Sequence, residues 1–166
     1  MANLNNIFNP LFLKNKELKT AFELLFFVMK DFDINMSSLL KKFGYNKTHF
    51  AVIFLASNNY YLTIKDLLII LNIKKQSLSK IINKLENDEL ITLKKSKKDK
   101  RNKHIFLTKK GIKIEKLLTE RQINNIAYAY KNAGTESING FKKILINLIS
   151  NKSKNILKKK YETQFT

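Results

Sequence analysis

Between Leu62 and Gly111 the apolar pattern switches from helical spacing to alternation and back, and no other stretch constrains the fold as tightly. Ile64, Leu67, Leu68 and Leu71 recur at helical intervals. Thr63 precedes them as an N-cap, and Asp66 stands where a capping-box acid returns the bond, although Glu fits that position better. Asn72 then occupies a place where the chain needs left-handed backbone, which Asn tolerates better than most residues other than Gly. The spacing predicts a second helix over 74–87, because Leu78, Ile81, Ile82 and Leu85 form one apolar stripe. Ile73 is expected to bury itself between the two helices.

Two short strands are expected next. Ile91 and Leu93 alternate with polar neighbours, as do Ile105 and Leu107, so each strand has an apolar inner face. The loop between them holds Lys94, Lys95, Lys97, Lys98, Lys100, Arg101 and Lys103, offset by Asp99 alone. A hairpin of this kind puts dense positive charge at the end of a stiff arm. Duplex DNA rewards such charge, because each phosphate contact releases condensed counterions. A solvated loop with no partner would have the same composition, so the helix before it matters.

That helix sets Gln76, Ser77, Ser79, Lys80, Asn83 and Lys84 opposite its apolar stripe. Amide and hydroxyl side chains can hydrogen-bond base edges, while lysines suit phosphates. Acids gather only at its end (Glu86, Asp88, Glu89), the end expected to point away from DNA. Helix, turn, helix and charged hairpin together make a winged helix-turn-helix.

These residues resemble the MarR family of bacterial transcription regulators. The stretch 62–68 is similar to the family's first helix-turn-helix helix, and 77–86 to its recognition helix. The most specific match is the wing, Asp99-Lys100-Arg101, followed by Leu107-Thr108-Lys109-Lys110-Gly111. The resemblance implies that Arg101 enters a minor groove, where narrow A·T-rich segments concentrate negative potential, and that Asp99 holds its guanidinium. A local ion pair that merely stiffens the hairpin is the alternative for these two. The expected DNA-binding set is Lys75, Gln76, Ser77, Ser79, Lys80, Lys84, Lys97, Lys98, Asp99, Lys100 and Arg101, with Asp99 acting through Arg101 rather than touching DNA. Thr108 reads as a helix N-cap, and Gly111 as a close-packing residue. Two positions depart from the family pattern: Lys74 replaces a capping Ser or Thr, and Asn72 replaces Gly.

Outside this unit the chain reads as helical and apolar. Residues 18–32 carry Ala21, Phe22, Leu25, Phe26, Met29 and Phe32, a stripe wide enough for burial on two sides. Its longest unbroken apolar run, 24–29, is far short of the roughly 20 residues that span a bilayer. A helix over 46–57 is expected to turn Phe50, Ala51, Ile53 and Phe54 inward. Another starts near Lys109 and breaks around Ala133, Gly134 and Thr135, before a last helix with Ile138, Phe141, Ile144, Leu145, Leu148 and Ile149. The basic residues Lys152, Lys154, Lys158, Lys159 and Lys160 read as a charged, partly frayed tail, with added phosphate contacts as the alternative.

The fold class is therefore mainly α with a small β-hairpin wing: a winged helix-turn-helix domain plus N- and C-terminal dimerisation helices. The expected divisions are 1–45 (N-terminal dimerisation segment), 46–111 (DNA-binding lobe) and 112–166 (C-terminal dimerisation helices and basic tail). In the resembled family the terminal helices of two subunits interlock. Such a homodimer would present two recognition helices ~34 Å apart to an inverted repeat in double-stranded DNA.

Composition bounds this reading. Lys plus Arg number 32 against 13 acids, a net charge of +19, which favours polyanionic partners. Lysine, asparagine and isoleucine abound while arginine is rare, as in an A·T-rich genome, so local crowding says more than the total. With no cysteine, neither thiol switching nor Cys-ligated zinc is open to the chain. Two separate histidines and four scattered glycines give no catalytic constellation or phosphate loop, so neither an enzyme nor a cofactor is expected. Residues 1–10 lack the pattern of a secretory signal, which points to the cytoplasm and to no membrane. The resemblance also raises a small-molecule effector of unknown identity, with Tyr45, His49, Phe50 and aromatics of 12–26 lining its crevice; plain core is the alternative. The competing function is a nucleoid-associated or RNA-binding winged helix with little base preference.

Overall fold

The computed structural model describes residues 13–58, 62–95 and 103–162, with side chains as far as 158. Among these the order is α1 (Asn15–Lys42), α2 (Lys47–Asn58), α3 (Ile64–Leu71), α4 (Lys75–Asn87), β1 (Ile91–Lys95), β2 (Lys103–Leu107), α5 (Lys109–Leu148) and α6 (Asn151–Glu162). The fold is thus mainly α with one antiparallel hairpin, as the sequence pattern implies. The chain divides into two compact units, Met1–Leu39 and Leu40–Thr166.

The first unit contributes most of α1, longer than the expected 18–32. Its apolar side chains are largely exposed within the single chain: Phe22 is 69% accessible, and Leu24, Phe26, Phe27, Val28 and Met29 are about half or more. No described helix is long and apolar enough to cross a membrane.

The second unit is organised around α2, which packs against α3, α4, α5 and β2. Leu40, Val52, Ile53, Leu62, Leu67, Leu78, Leu85, Leu90, Ile105 and Leu118 are almost completely buried. Each such aliphatic side chain contributes roughly 1.5–3 kcal/mol by leaving water. The buried face of α2 is His49, Val52, Ile53 and Ala56, which corrects the expected inward set. Phe54 is exposed, and Phe50 and Ala51 are half-buried; Phe50 stacks on Phe54 with centroids 5.6 Å apart. This helix is apolar on nearly every side, so periodicity alone does not choose which side faces in.

Backbone punctuation sets the angles between elements. Gly44, at φ +69°, ends α1: Tyr45 N–H donates to Leu40 C=O (2.9 Å) and Gly44 N–H to Lys41 C=O (3.1 Å). The helix α4 ends the same way on Glu89 at φ 58°, with Leu90 N–H donating to Leu85 C=O and Glu89 N–H to Glu86 C=O, both at 2.9 Å. Leu85 and Leu90 are both buried, which supplies the apolar contact that accompanies this type of helix end.

Downstream, α5 bends where expected, at Gly134 (φ 76°, ψ 165°). After it, Asn151–Glu162 forms a helix rather than a frayed tail. Ser150 starts it: its Oγ accepts from Ser153 N–H (3.2 Å), and its carbonyl from Lys154 N–H (2.9 Å).

Candidate nucleic-acid interface

The helix-turn-helix is built as its residues require. Thr63 Oγ1 accepts from Asp66 N–H (3.1 Å), and Asp66 Oδ2 accepts from Thr63 N–H (3.1 Å) and from the Thr63 hydroxyl (2.7 Å). This reciprocal capping box starts α3 despite the shorter acid. Asn72 closes α3 in the left-handed region (φ 49°, ψ 46°), its N–H donating to Leu68 C=O. Ile73 is half-buried rather than enclosed, because the turn leaves one side of it to solvent. The next helix starts from Lys74 at extended backbone (φ −67°, ψ 145°) with no side-chain cap, as expected where Lys replaces Ser or Thr.

Burial of Leu78, Ile82 and Leu85 fixes which way α4 faces. Lys75, Gln76, Ser77, Ser79, Lys80, Asn83 and Lys84 are all exposed. The structure thus brings the six expected helix residues onto one open surface. Asn83, outside the expected contact set, shares that surface; it lies i+4 from Ser79 and i+3 from Lys80, a spacing the sequence already shows. Lys84 is more engaged than its neighbours. Its Nζ lies 3.2 Å from Asp88 Oδ2 and 5.3 Å over the Tyr45 ring.

Tyr45 in turn donates its hydroxyl to Asp88 Oδ2 at 2.9 Å. Burial, and the hydrogen bond to the carboxylate, push the Tyr45 phenol up to about 12. The same hydrogen bond, helped by Lys84 and Lys110, holds the Asp88 carboxyl below its ordinary value. Asp88, at the end of α4, therefore serves its anchorage. Behind Tyr45, the His49 ring packs at 5.3 Å and is buried. Asn46 Oδ1 accepts from the Thr48 and His49 backbone N–H groups and lies 2.8 Å from His49 Nδ1, which the Asn46 backbone N–H also approaches at 3.2 Å. Burial, and then the Lys84 charge, lower the His49 pKa, so the ring favours its neutral form. Of the residues expected as crevice lining, Tyr45 packs on Phe43 and His49, and Phe50 stacks on Phe54.

The wing is fastened to this unit at its base. Ile91 pairs with Leu107 and Leu93 with Ile105, which puts these four on the inner face as expected. The Ile105 N–H donates to Leu62 C=O (2.9 Å), and Thr63 bridges His104, so β2 adds to the chain just ahead of α3. At the far end Lys95 and Lys103 pair across the hairpin, both exposed, and Lys94 lies over the Phe106 ring. The tip residues Lys97, Lys98, Asp99, Lys100 and Arg101 lie outside the described residues.

The return from wing to helix rests on Thr108 and Gly111. Thr108 Oγ1 accepts from Gly111 N–H (3.0 Å) and donates to Glu89 C=O (2.6 Å), tying the start of α5 to the end of α4. A β-carbon on Gly111 would overlap the Leu90 carbonyl oxygen. Close packing, not phosphate binding, explains this glycine.

A family model described as MarR family matches residues 45–103, the span from Tyr45 to the second wing strand. The HTH-type transcriptional regulator PetP of Rhodobacter capsulatus is 31% identical over 135 residues, 81% of this chain and 81% of that protein. The chain belongs to the MarR family. It is a MarR-family transcription regulator, and its fold agrees with solved relatives. Streptococcus pneumoniae FabT, solved in complex with DNA, superposes with a TM-score of 0.63 at 20% identity, covering 79% of this chain and 94% of that one. The MarR transcription regulator of Oenococcus oeni gives 0.58 at 22% identity, covering 77% and 97%. At these identities the likeness concerns the fold alone, and the MarR assignment rests on the family model and PetP.

Proposed function

We propose that this MarR-family regulator is a cytoplasmic homodimer that reads an inverted repeat in double-stranded DNA. One observation carries the proposal: the face of α4 turned away from buried Leu78, Ile82 and Leu85 is exposed and free of acids. In this reading Gln76, Ser77, Ser79 and Asn83 meet base edges in the major groove, and Lys75 and Lys80 meet phosphates. Lys84, anchored to Asp88, lies at the edge of that surface. Lys97, Lys98 and Lys100 supply backbone contacts from the wing, and Arg101, oriented by Asp99, enters the minor groove. FabT supports the reading as a fold relative captured on DNA.

Dimerisation follows from the apolar surface that the single chain leaves uncovered. Besides the α1 residues, α5 exposes Ile123, Tyr128, Ile144 and Leu148. Exposed large apolar side chains grouped along a helix mark an interaction surface, which supports the dimer reading. Residues 1–45 and 112–166 thus supply the dimer helices and basic C-terminus, and 46–111 the DNA-binding lobe. A small-molecule effector would change DNA affinity only through its preference for one spacing of the two recognition helices.

The test is sedimentation equilibrium combined with competition between duplexes. The full chain should sediment at twice its monomer mass. It should also bind a duplex selected from a random pool about 1,000-fold or more tighter than a scrambled duplex of equal composition. Equal affinity for both would favour the charge-driven alternative, a nucleoid-associated or RNA-binding module.

A further inference from the structure

We propose that α6 is a second DNA-contacting element, which binds the phosphate backbone flanking the half-site read by α4. The inference deepens the DNA-binding reading above and rests on it.

Between Glu136 and Glu162 the sequence holds seven lysines and no acid. Drift in an A·T-rich genome does not account for this, since the same chain places Glu17, Glu23, Asp31 and Asp33 among the lysines of α1. Five of the seven fall in α6. Among these Lys152 and Lys158 are exposed and Lys154 half-buried, and none of the three forms a salt bridge with a described residue. Lys154 and Lys158 are spaced i,i+4, an arrangement in which like charges repel and weaken an isolated helix. A polyanion alongside turns that repulsion into attraction.

Position supplies the second argument. The helix α6 packs against α3, the helix that precedes the recognition helix. In a helix-turn-helix complex this first helix crosses the DNA backbone. Packed helices have axes about 8–10 Å apart, so α6 lies one helix diameter from the helix that crosses those phosphates. A half-buried Ile156 and the Ser150 cap hold α6 as an ordered helix. Its charge therefore reaches DNA with less conformational entropy to lose than a free tail.

The experiment compares the salt dependence of DNA binding for the full chain and for Lys152→Gln/Lys154→Gln/Lys158→Gln. Single variants Lys152→Gln and Lys158→Gln, at exposed positions, guard against a folding defect. The slope of log K against log salt should fall by about 0.9 for each phosphate that is no longer neutralised. The triple Lys→Arg variant should keep the wild-type slope, and preference for the specific duplex over a scrambled one should persist in the Gln variants. An unchanged slope in the triple and single Gln variants overturns the proposal. So does lysine-dependent binding to vesicles of acidic phospholipid with the DNA slope unchanged, which would assign the helix to a membrane surface. If the wild type shows no duplex preference, the regulator reading fails, while the slope comparison still decides the role of α6.

Discussion

The Tyr45 hydroxyl donates to Asp88 Oδ2 at 2.9 Å, joining the turn ahead of α2 to the residue that ends α4. Lys84 completes the group from one turn back, 3.2 Å from the same oxygen. The helix α4 is thus gripped at its C-terminal end, while its N-terminal turn has no side-chain cap. Tyr45→Phe should cost about 0.5–1.5 kcal/mol of stability, the usual worth of one hydrogen bond, with ring packing retained. Urea midpoints of the two proteins measure it. No loss would mean that solvent replaces the bond fully.

The same pair fixes two pH limits. Tyr45 is raised from 10.0 to about 12, so the stability it contributes is present below pH 10 and is lost as pH rises from there towards 12. Asp88 is lowered from 3.8, so its contribution is present above that value and fades as pH falls below it. In Tyr45→Phe the alkaline loss should shrink, as followed by helical circular dichroism against pH.

His49 sets a third. Its pKa is lowered from 6.5 by burial and by Lys84, against the opposing pull of Asp88, so the folded state holds the neutral ring. Its stability contribution is complete above pH 6.5 and declines as pH falls through the lowered value. The urea midpoint should therefore drop between about pH 7 and about pH 5, more in the wild type than in His49→Gln. Parallel declines in the two proteins would contradict this role.

Much of this was legible in the sequence, because the decisive devices are local. Thr63 with Asp66, Asn72, Thr108 with Gly111 and the bend at Gly134 act over three or four residues, and residue type limits what each can do. The exposed face of α4 follows from Leu78, Ile82 and Leu85 in the same way. Tertiary choices were less legible. The inward side of α2 depends on what packs against it, and Phe50 and Phe54 look as apolar as Val52 and Ile53. The Tyr45–Asp88 link spans 43 residues, a separation at which local spacing carries no signal. The order of α6 was hidden by its charge, since Lys-rich sequence reads as tail until a packing partner is known.

Gly111→Ala should destabilise by about 1–3 kcal/mol, as overpacking does, because the added carbon meets backbone at Leu90 rather than a side chain able to move. Chemical denaturation measures this. A neutral result would show that α5 shifts freely away from the end of α4.

Lys74→Ser should stabilise α4 by about 0.5–1 kcal/mol, since the position already has extended backbone and lacks a side-chain cap. The thermal midpoint should rise. DNA binding should weaken at the same time if the first-turn amides and the Lys74 charge face a phosphate.

Arg101→Ala should weaken binding to the specific duplex by roughly 1–3 kcal/mol, the cost of one good groove contact, with a smaller effect on scrambled DNA. Fluorescence anisotropy at fixed salt measures both. An unchanged specific affinity would remove the wing tip from the interface.

The central claim is that α4, carried by a dimer, reads sequence. Selection of bound duplexes from a random pool at near-physiological salt, with sequencing of the survivors, tests it most directly. The account predicts enrichment of an inverted repeat whose half-sites lie about one DNA turn apart, ~34 Å. Survivors sharing no motif would contradict it and leave a protein held on nucleic acid by charge alone.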